Sequence, residues 1–475
     1  MGATFCVLFA WWFVSGVFMV YWDYPGINSA ERLRRSPVLT PSSVQLSPSE
    51  AFARLGISES PEAVRLNSFD GRPAYRFGVD GKEWVVFADS GERPELSSSA
   101  ISRRTAASWT EQPGQAATVQ ILTEADQWTV PESFGPLRPL WKYSWPNGED
   151  VYVSQVTGEV AQHTTRGSRI QAYLGPIPHW LYFTPLRKHE RLWSRIVIWS
   201  SGLATVAALL GLIAGVWVYW PSKRIPYSGQ KRLHMILGLF FGVVACTWSF
   251  SGMLSLDPFA QGRDDGAAAL ADALRGHRFE LAAFGGKHPR QALAQIGSGL
   301  KVKELQLTFF AGQAVYLAMD GRQSSKIVPV HGEPRDAFEP DRLLEAIRAA
   351  SQPAGLLELR LISEYDAYYL DRDRKKPLPV ILAQWNDSQG TRYYVDPRTA
   401  QIVGAYSSRM WVSRWLYHGL HSIDLPWLYN HRPAWDAVIL VLLLGGTWLS
   451  VTAVILGFRL LRRKLARFFP NFSHP

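Results

Sequence analysis

Four stretches of this chain are apolar for the roughly 20 residues that a helix needs to cross a bilayer. They lie near 3–22, 196–220, 234–256 and 435–458. Hydrocarbon offers no partner to a backbone N–H or C=O, so such stretches are expected to be helices. Between them lie two blocks of ordinary soluble composition, near 25–190 and 257–430. The first stretch has no basic leader and no small-residue cleavage site ahead of Tyr24 and Pro25, so it reads as a retained helix and not as a signal peptide.

Basic residues set the expected orientation. The loop after the second stretch carries Lys223, Arg224, Lys231 and Arg232, and the tail after the fourth carries Arg459, Arg462, Arg463, Lys464 and Arg467, with no acid in either. Both belong on the cytoplasmic side, which sends the two large blocks outward. Much of the net charge of +10 sits in these two segments. Topology therefore accounts for it, and with no zinc-finger, homeodomain or RNA-recognition pattern no nucleic-acid partner is expected. The expected division is a first transmembrane helix over 1–24, an outer domain over 25–190, a helix over 191–221, a cytoplasmic loop over 222–232, a helix over 233–256, a second outer domain over 257–430, a helix over 431–458 and a basic tail over 459–475. The two cysteines, Cys6 and Cys246, both fall in apolar stretches, so neither a disulfide framework nor a thiolate metal site is available.

The chain also repeats itself. His179 and His421 lie 242 positions apart, as do His189 and His431, Trp193 and Trp435, and Tyr152 and Tyr394. At an offset of 236, Trp12-Phe-Val-Ser-Gly16 matches Trp248-Ser-Phe-Ser-Gly252. Each half thus reads span, outer domain, span. His234 opens the third span, and its counterpart in the first would fall just before Met1, so the expectation is either a first half that never had this histidine or a truncated first span.

The outer blocks read as small α+β units. Ser47-Pro48-Ser49-Glu50 is a capping box with proline at the first helical position. Strands are expected at Ala74–Val79 and Glu83–Ala88 around the turn Asp80-Gly81, at Trp141–Trp145 and Val151–Gln155 around Asn147-Gly148, and at Glu304–Phe310, Ala314–Met319, Val380–Trp385 and Thr391–Val395. A helix is expected near Asp341–Ala350. Alternating apolar residues suggest antiparallel meanders with one face covered by a helix.

Several segments together carry a family resemblance. They are Tyr152-Val-Ser-Gln-Val-Thr-Gly-Glu-Val160, His179-Trp-Leu-Tyr-Phe183, Trp248-Ser-Phe-Ser-Gly252 and Trp415-Leu-Tyr-His-Gly-Leu-His-Ser-Ile-Asp424. The chain resembles, over nearly its whole length, membrane proteins that carry PepSY domains. The resemblance implies a bacterial inner-membrane protein with periplasmic PepSY-like domains. The implied fold class is a bundle of four transmembrane helices with two periplasmic α+β domains and an internal two-fold repeat. Some such proteins are siderophore or ferric-iron reductases with b-type haem in the membrane.

Six histidines cluster at span mouths: His179, His189, His234, His418, His421 and His431. Haem iron takes two neutral imidazoles on its opposite faces, and a helix bundle supplies an apolar slot for the ring. No Cys-x-x-Cys-His attachment motif is present, so a haem here would be non-covalent, of b type, one or two per chain. His179 and His421 are the preferred outer pair, because the repeat relates them. His418 could substitute from the same helical face, His189 and His431 are rivals by depth, and His234 marks an inner site. The plainer reading is that these rings bond carbonyls or lipid headgroups. The glycine pairs Ser15-Gly16, Ser251-Gly252 and Gly445-Gly446 read as close helix contacts or as room for a porphyrin edge, and Arg414 and Arg432 as propionate or headgroup contacts.

No nucleophile elbow, metalloprotease motif, P-loop or dinucleotide fingerprint occurs. Electrons would have to come from elsewhere, such as quinol or a soluble reductase. Two functions follow as expectations: a haem protein moving electrons outward to ferric iron or a ferric siderophore, or a non-enzymatic PepSY binding or regulatory protein of the membrane.

Overall fold

The computed structural model describes residues 2–221, 223–256, 266–322, 324–352, 354–371 and 373–468. The opening of the expected 257–430 domain and the end of the basic tail lie outside the described residues. Four apolar helices are present: α1 (Gly2–Met19), α2 (Glu190–Tyr219), α3 (Gly229–Leu254) and α4 (Arg432–Phe468). Among the described residues α2, α3 and α4 are long and apolar enough to cross a membrane, whereas the apolar run of α1, Phe5–Met19, is shorter. α1 packs along α4, and α3 packs against both α2 and α4. Outward-facing Trp199, Trp217, Phe240, Trp448 and Phe458 are largely exposed, and inward-facing Phe13, Ala245, Trp435, Ile439 and Leu443 are buried together. An apolar exterior around an apolar core is what a helix bundle in lipid requires.

Two helix limits differ from the expected division. α3 starts at Gly229, inside the expected loop, and α4 runs past 458 to Phe468. The reason for the second is local: Arg459-Leu-Leu-Arg-Arg-Lys-Leu-Ala466 contains neither glycine nor proline, only strong helix formers.

Close packing in the bundle depends on Gly445 and Gly446 of α4. A Cβ built on Gly445 would stand 2.1 Å from Cε1 of Phe241, and one on Gly446 would stand 2.1 Å from Cε1 of Phe13. The rings of α3 and α1 therefore lie directly on the α4 backbone. These glycines serve packing, and the space beside them is filled by phenylalanine.

Among the described residues the outer part contains fourteen strands: β1 (Ala63–Phe69), β2 (Arg72–Val79), β3 (Lys82–Phe87), β4 (Thr118–Leu122), β5 (Leu140–Ser144), β6 (Asp150–Ser154), β7 (Val160–Thr164), β8 (Glu304–Phe310), β9 (Gln313–Met319), β10 (Ser325–Pro329), β11 (Leu356–Ile362), β12 (Val380–Trp385), β13 (Arg392–Asp396) and β14 (Gln401–Tyr406). β4–β7 and β11–β14 form two four-stranded meanders, and the remaining six form one sheet in the order β10-β9-β8-β1-β2-β3. The join is antiparallel β1–β8 pairing, with Val64 opposite Leu307 and Leu66 opposite Leu305. The two outer blocks thus share a sheet and a core that includes Leu66, Tyr75, Phe77, Leu305 and Tyr316.

The local expectations hold where turn and cap chemistry is strong. Ser47 Oγ accepts from the Glu50 amide at 3.3 Å, and Glu50 Oε2 accepts from the Ser47 amide at 2.8 Å. Asp80 and Gly81 both take positive φ, 48° and 71°, as a two-residue hairpin turn demands. The helix Ser99–Ala107 covers the β4–β7 meander, and Pro340–Ala350 packs into the core of the β11–β14 meander.

A buried ionic network ties the first meander to the shared sheet. Arg65 on β1 pairs with Glu83 at 2.7 Å, Glu159 at 3.2 Å and Glu304 at 3.4 Å. Arg76 on β2, 2 % exposed, pairs with Glu83 at 2.7 Å and Glu159 at 3.6 Å and donates to the Thr157 carbonyl at 2.8 Å. Burial alone would push the Glu159 carboxyl up, but Arg76, Arg65 and Arg32 outweigh it and hold the group at about 2.

Candidate functional site

Two short segments at the outer mouth of the bundle carry the central histidines. In the first half the helix Arg166–Leu174 ends at Gly175, Pro176 starts a second helix, Pro176–Trp180, and His179 sits on it. In the second half a π-helical turn, Val412–Gly419, precedes His421. Two residues after each histidine the chain reverses through a left-handed residue, Leu181 at φ 54° and Ile423 at φ 53°. Such values are costly for branched side chains and persist only where the surroundings hold them. Here the surroundings include two indoles. Trp193 at the start of α2 donates from Nε1 to the Trp180 carbonyl at 2.8 Å, and Trp435 at the start of α4 donates to the Ser422 carbonyl at 3.1 Å.

The two imidazoles are held alike. His179 Nδ1 lies 3.1 Å from Ser15 Oγ and 3.2 Å from the Trp12 carbonyl, and His421 Nδ1 lies 3.1 Å from Ser251 Oγ and 3.2 Å from the Trp248 carbonyl. A carbonyl oxygen only accepts, so Nδ1 carries the proton in both rings and Nε2 keeps the lone pair. Gly16 and Gly252 border the two rings: a Cβ on Gly16 would meet Leu443 Cδ2 at 2.8 Å and touch His179 Cε1 at 3.7 Å, and one on Gly252 would touch His421 Cε1 at 3.6 Å, an ordinary contact. The ring centres of His179 and His421 are 6.0 Å apart, with planes at 72°. Burial first, then the proximity of His421, pulls the His179 pKa down to about 3. His179 is therefore neutral at ordinary pH.

The pair opens on a cavity of about 770 Å³, in the size range of small-molecule and cofactor sites. Its inner wall is aromatic, with Trp12, Phe13, Trp180, Trp193, Trp248 and Tyr417. Its outer end is polar, with Asp23, Asp371, Asp373, Lys376, Arg414, His418 and Asp424. His418 lines this end, with Nδ1 3.9 Å from Asp424 Oδ2. Among the described residues no group of three or more His, Cys, Asp or Glu side chains is placed to hold a metal ion.

The other histidines stand apart from this cavity. His189 caps the start of α2 in a shallow groove with Glu132, Glu190 and Arg195. His431 is exposed, with Nδ1 2.7 Å from the Trp427 carbonyl. His234 lies on α3 with Nδ1 2.9 Å from Thr452 Oγ1 of α4. Of the two arginines, Arg432 pairs with Asp436 at 3.0 Å, whereas Arg414 is buried on the cavity wall. Ser15 and Ser251 were not expected as imidazole partners. The available signal was their shared place in the motif that repeats at 236, one residue before the matched glycines.

Apolar helices of spanning length and antiparallel α+β domains joined at an aromatic-walled cavity define a membrane protein with a large non-membrane part. Residues 1–295 match the family described as the PepSY-associated TM region, and the chain belongs to that family. No curated protein matches the sequence.

Proposed function

We propose that the chain is a b-type haem electron-transfer protein of a bacterial inner membrane, with its outer domains in the periplasm. The observation that carries this reading is the His179–His421 pair. The two ring centres stand 6.0 Å apart, near enough for both imidazoles to serve one metal ion. Metal-bound histidines commonly donate their other ring N–H to a carbonyl, as both do here.

A haem held there supplies a one-electron centre. The chain's own part is to position it. His179 and His421 would hold it, Ser15, Ser251 and the carbonyls of Trp12 and Trp248 would orient their rings, and the surrounding indoles would exclude water. One centre does not bridge a hydrocarbon core of about 30 Å, so a second, inner centre would be needed, and His234 would supply one of its two imidazoles. Quinol or a soluble reductase supplies electrons, and ferric iron or a ferric siderophore at the outer domains accepts them. Equivalent geometry at positions related by 236 and 242 supports a duplicated span–domain–span unit with α1 as the fourth span. The basic loop and tail support the orientation.

The test is the absorption spectrum of the purified full-length protein in mild detergent, before and after dithionite. A Soret band with sharpened α and β bands on reduction is expected, and it should be lost together in His179→Ala and His421→Ala. A protein that stays colourless after haem supplementation refutes the proposal and leaves the non-enzymatic binding or regulatory reading.

A further inference from the structure

Arg414 lies on the π-helical turn Val412–Gly419, is 8 % exposed, and lines the cavity that holds His179 and His421. Its Nε donates to the Ala367 carbonyl and its Nη2 to the Asp424 carbonyl at 2.8 Å. Its Cζ rests 4.4 Å from the centre of the Trp415 ring. Nη1 is buried and has no hydrogen-bond partner among the described residues. Carbonyl dipoles and an indole face stabilise a cation only in part, and a buried guanidinium with an unused N–H pair is costly unless an anion completes it. The neighbouring Asp424 carboxylate, whose Oδ2 lies 3.9 Å from His418 Nδ1, supplies Arg414 with part of its countercharge.

Position 172, which stands 242 residues before Arg414, is a buried alanine. The matched histidines thus share one cavity, but among the described residues its lining cations, Lys376 and Arg414, both come from the second half. A π-helical turn is an uncommon device that often marks functional segments. This one sets Arg414, Tyr417 and His418 on the same cavity. An aromatic inner wall with two imidazoles and one unsatisfied guanidinium fits a flat apolar ligand that bears a carboxylate.

We propose that Arg414 Nη1 anchors a carboxylate of the ligand bound by the imidazole pair, and so fixes which way that ligand enters the cavity. This rests on the haem reading, in which the carboxylate is a propionate. Arg414 is then a positioning residue, since the iron is held by the histidines.

The experiment compares iron protoporphyrin IX with its dimethyl ester, each titrated into the full-length apoprotein in detergent and read at the Soret band. One charge-assisted hydrogen bond should make wild type bind the free acid about 10- to 100-fold more tightly than the ester. Arg414→Gln should bind both equally, near the ester's affinity, with the same low-spin spectrum. Arg414→Lys should recover part of the preference. Equal binding of acid and ester by wild type, with the bis-imidazole spectrum intact, overturns the anchor and leaves the haem reading standing. This comparison needs no variant, so it holds even if Arg414→Gln misfolds. No spectral change with either porphyrin overturns both proposals.

Discussion

Replacing Gly446 by alanine tests how the bundle is closed around its site. The added methyl would stand 2.1, 2.4 and 2.5 Å from three atoms of the Phe13 ring. Ordinary carbon contacts are about 3.5–4.0 Å, so the ring or the whole of α1 must retreat by more than an ångström. Phe13 is 4 % exposed and lies 5.6 Å from the Trp248 ring, which leaves it little room to swing aside. Overpacking of this kind costs about 1–3 kcal/mol, against a helix-propensity gain of roughly 1 kcal/mol for alanine over glycine. Three ring atoms clash at once, so the cost falls at the upper end of that range and the net expectation is destabilisation by about 2 kcal/mol. Thermal unfolding in detergent, followed by tryptophan fluorescence, measures it. The double variant Gly446→Ala/Phe13→Leu should be more stable than the sum of the single effects, with a coupling of about 1–3 kcal/mol. A Gly446→Ala protein that melts at or above wild type, or strict additivity in the cycle, would refute the packing argument.

Three further outcomes are expected. The His179 pKa is held near 3, far below the roughly 6.5 of an unfolded chain. The stability this neutral ring contributes is complete above pH 6.5 and is lost as pH falls toward 3, by up to about 1.4 kcal/mol per pH unit. Melting curves between pH 7.5 and 4.5 should show that slope, and His179→Gln should flatten it. Ser15→Ala or Ser251→Ala removes one of the two acceptors at an imidazole Nδ1–H, so each should weaken haem retention by about tenfold in a competition assay with apomyoglobin. Unchanged retention in both would count against orientation through Nδ1. Glu159→Gln strips the carboxylate shared by Arg32, Arg65 and Arg76 and leaves the Arg76 guanidinium buried and short of charge. A loss of about 3–5 kcal/mol is expected, and a variant as stable as wild type in chemical denaturation would show that Glu83 suffices.

Much of the local structure was legible. The Ser47 capping box, the Asp80-Gly81 turn and the strands around it rest on interactions among residues a few positions apart, and such chemistry is written in order along the chain. The central pair, His179 and His421, was legible through the repeat. The roles of Ser15 and Ser251 were not. Each acts on a group far away in sequence, and a serine in an apolar helix carries no mark of the imidazole it will meet. The pairing of β1 with β8 was hidden for the same reason, since either strand alone could serve as a sheet edge.

Composition and order along the chain determined that this is a membrane protein with helices of spanning length, paired outer blocks and histidines at the mouths of the spans. These follow from hydrophobic periodicity and turn chemistry, which depend on near neighbours. Only the tertiary structure decided which histidines meet, that their Nδ1 atoms are engaged and their Nε2 lone pairs kept, and that phenylalanines fill the space at Gly445 and Gly446. Those properties arise from side chains brought together across more than 160 positions. Packing chooses such contacts by shape and by the cost of an unmet polar group, and neither cost exists until the chain has closed on itself.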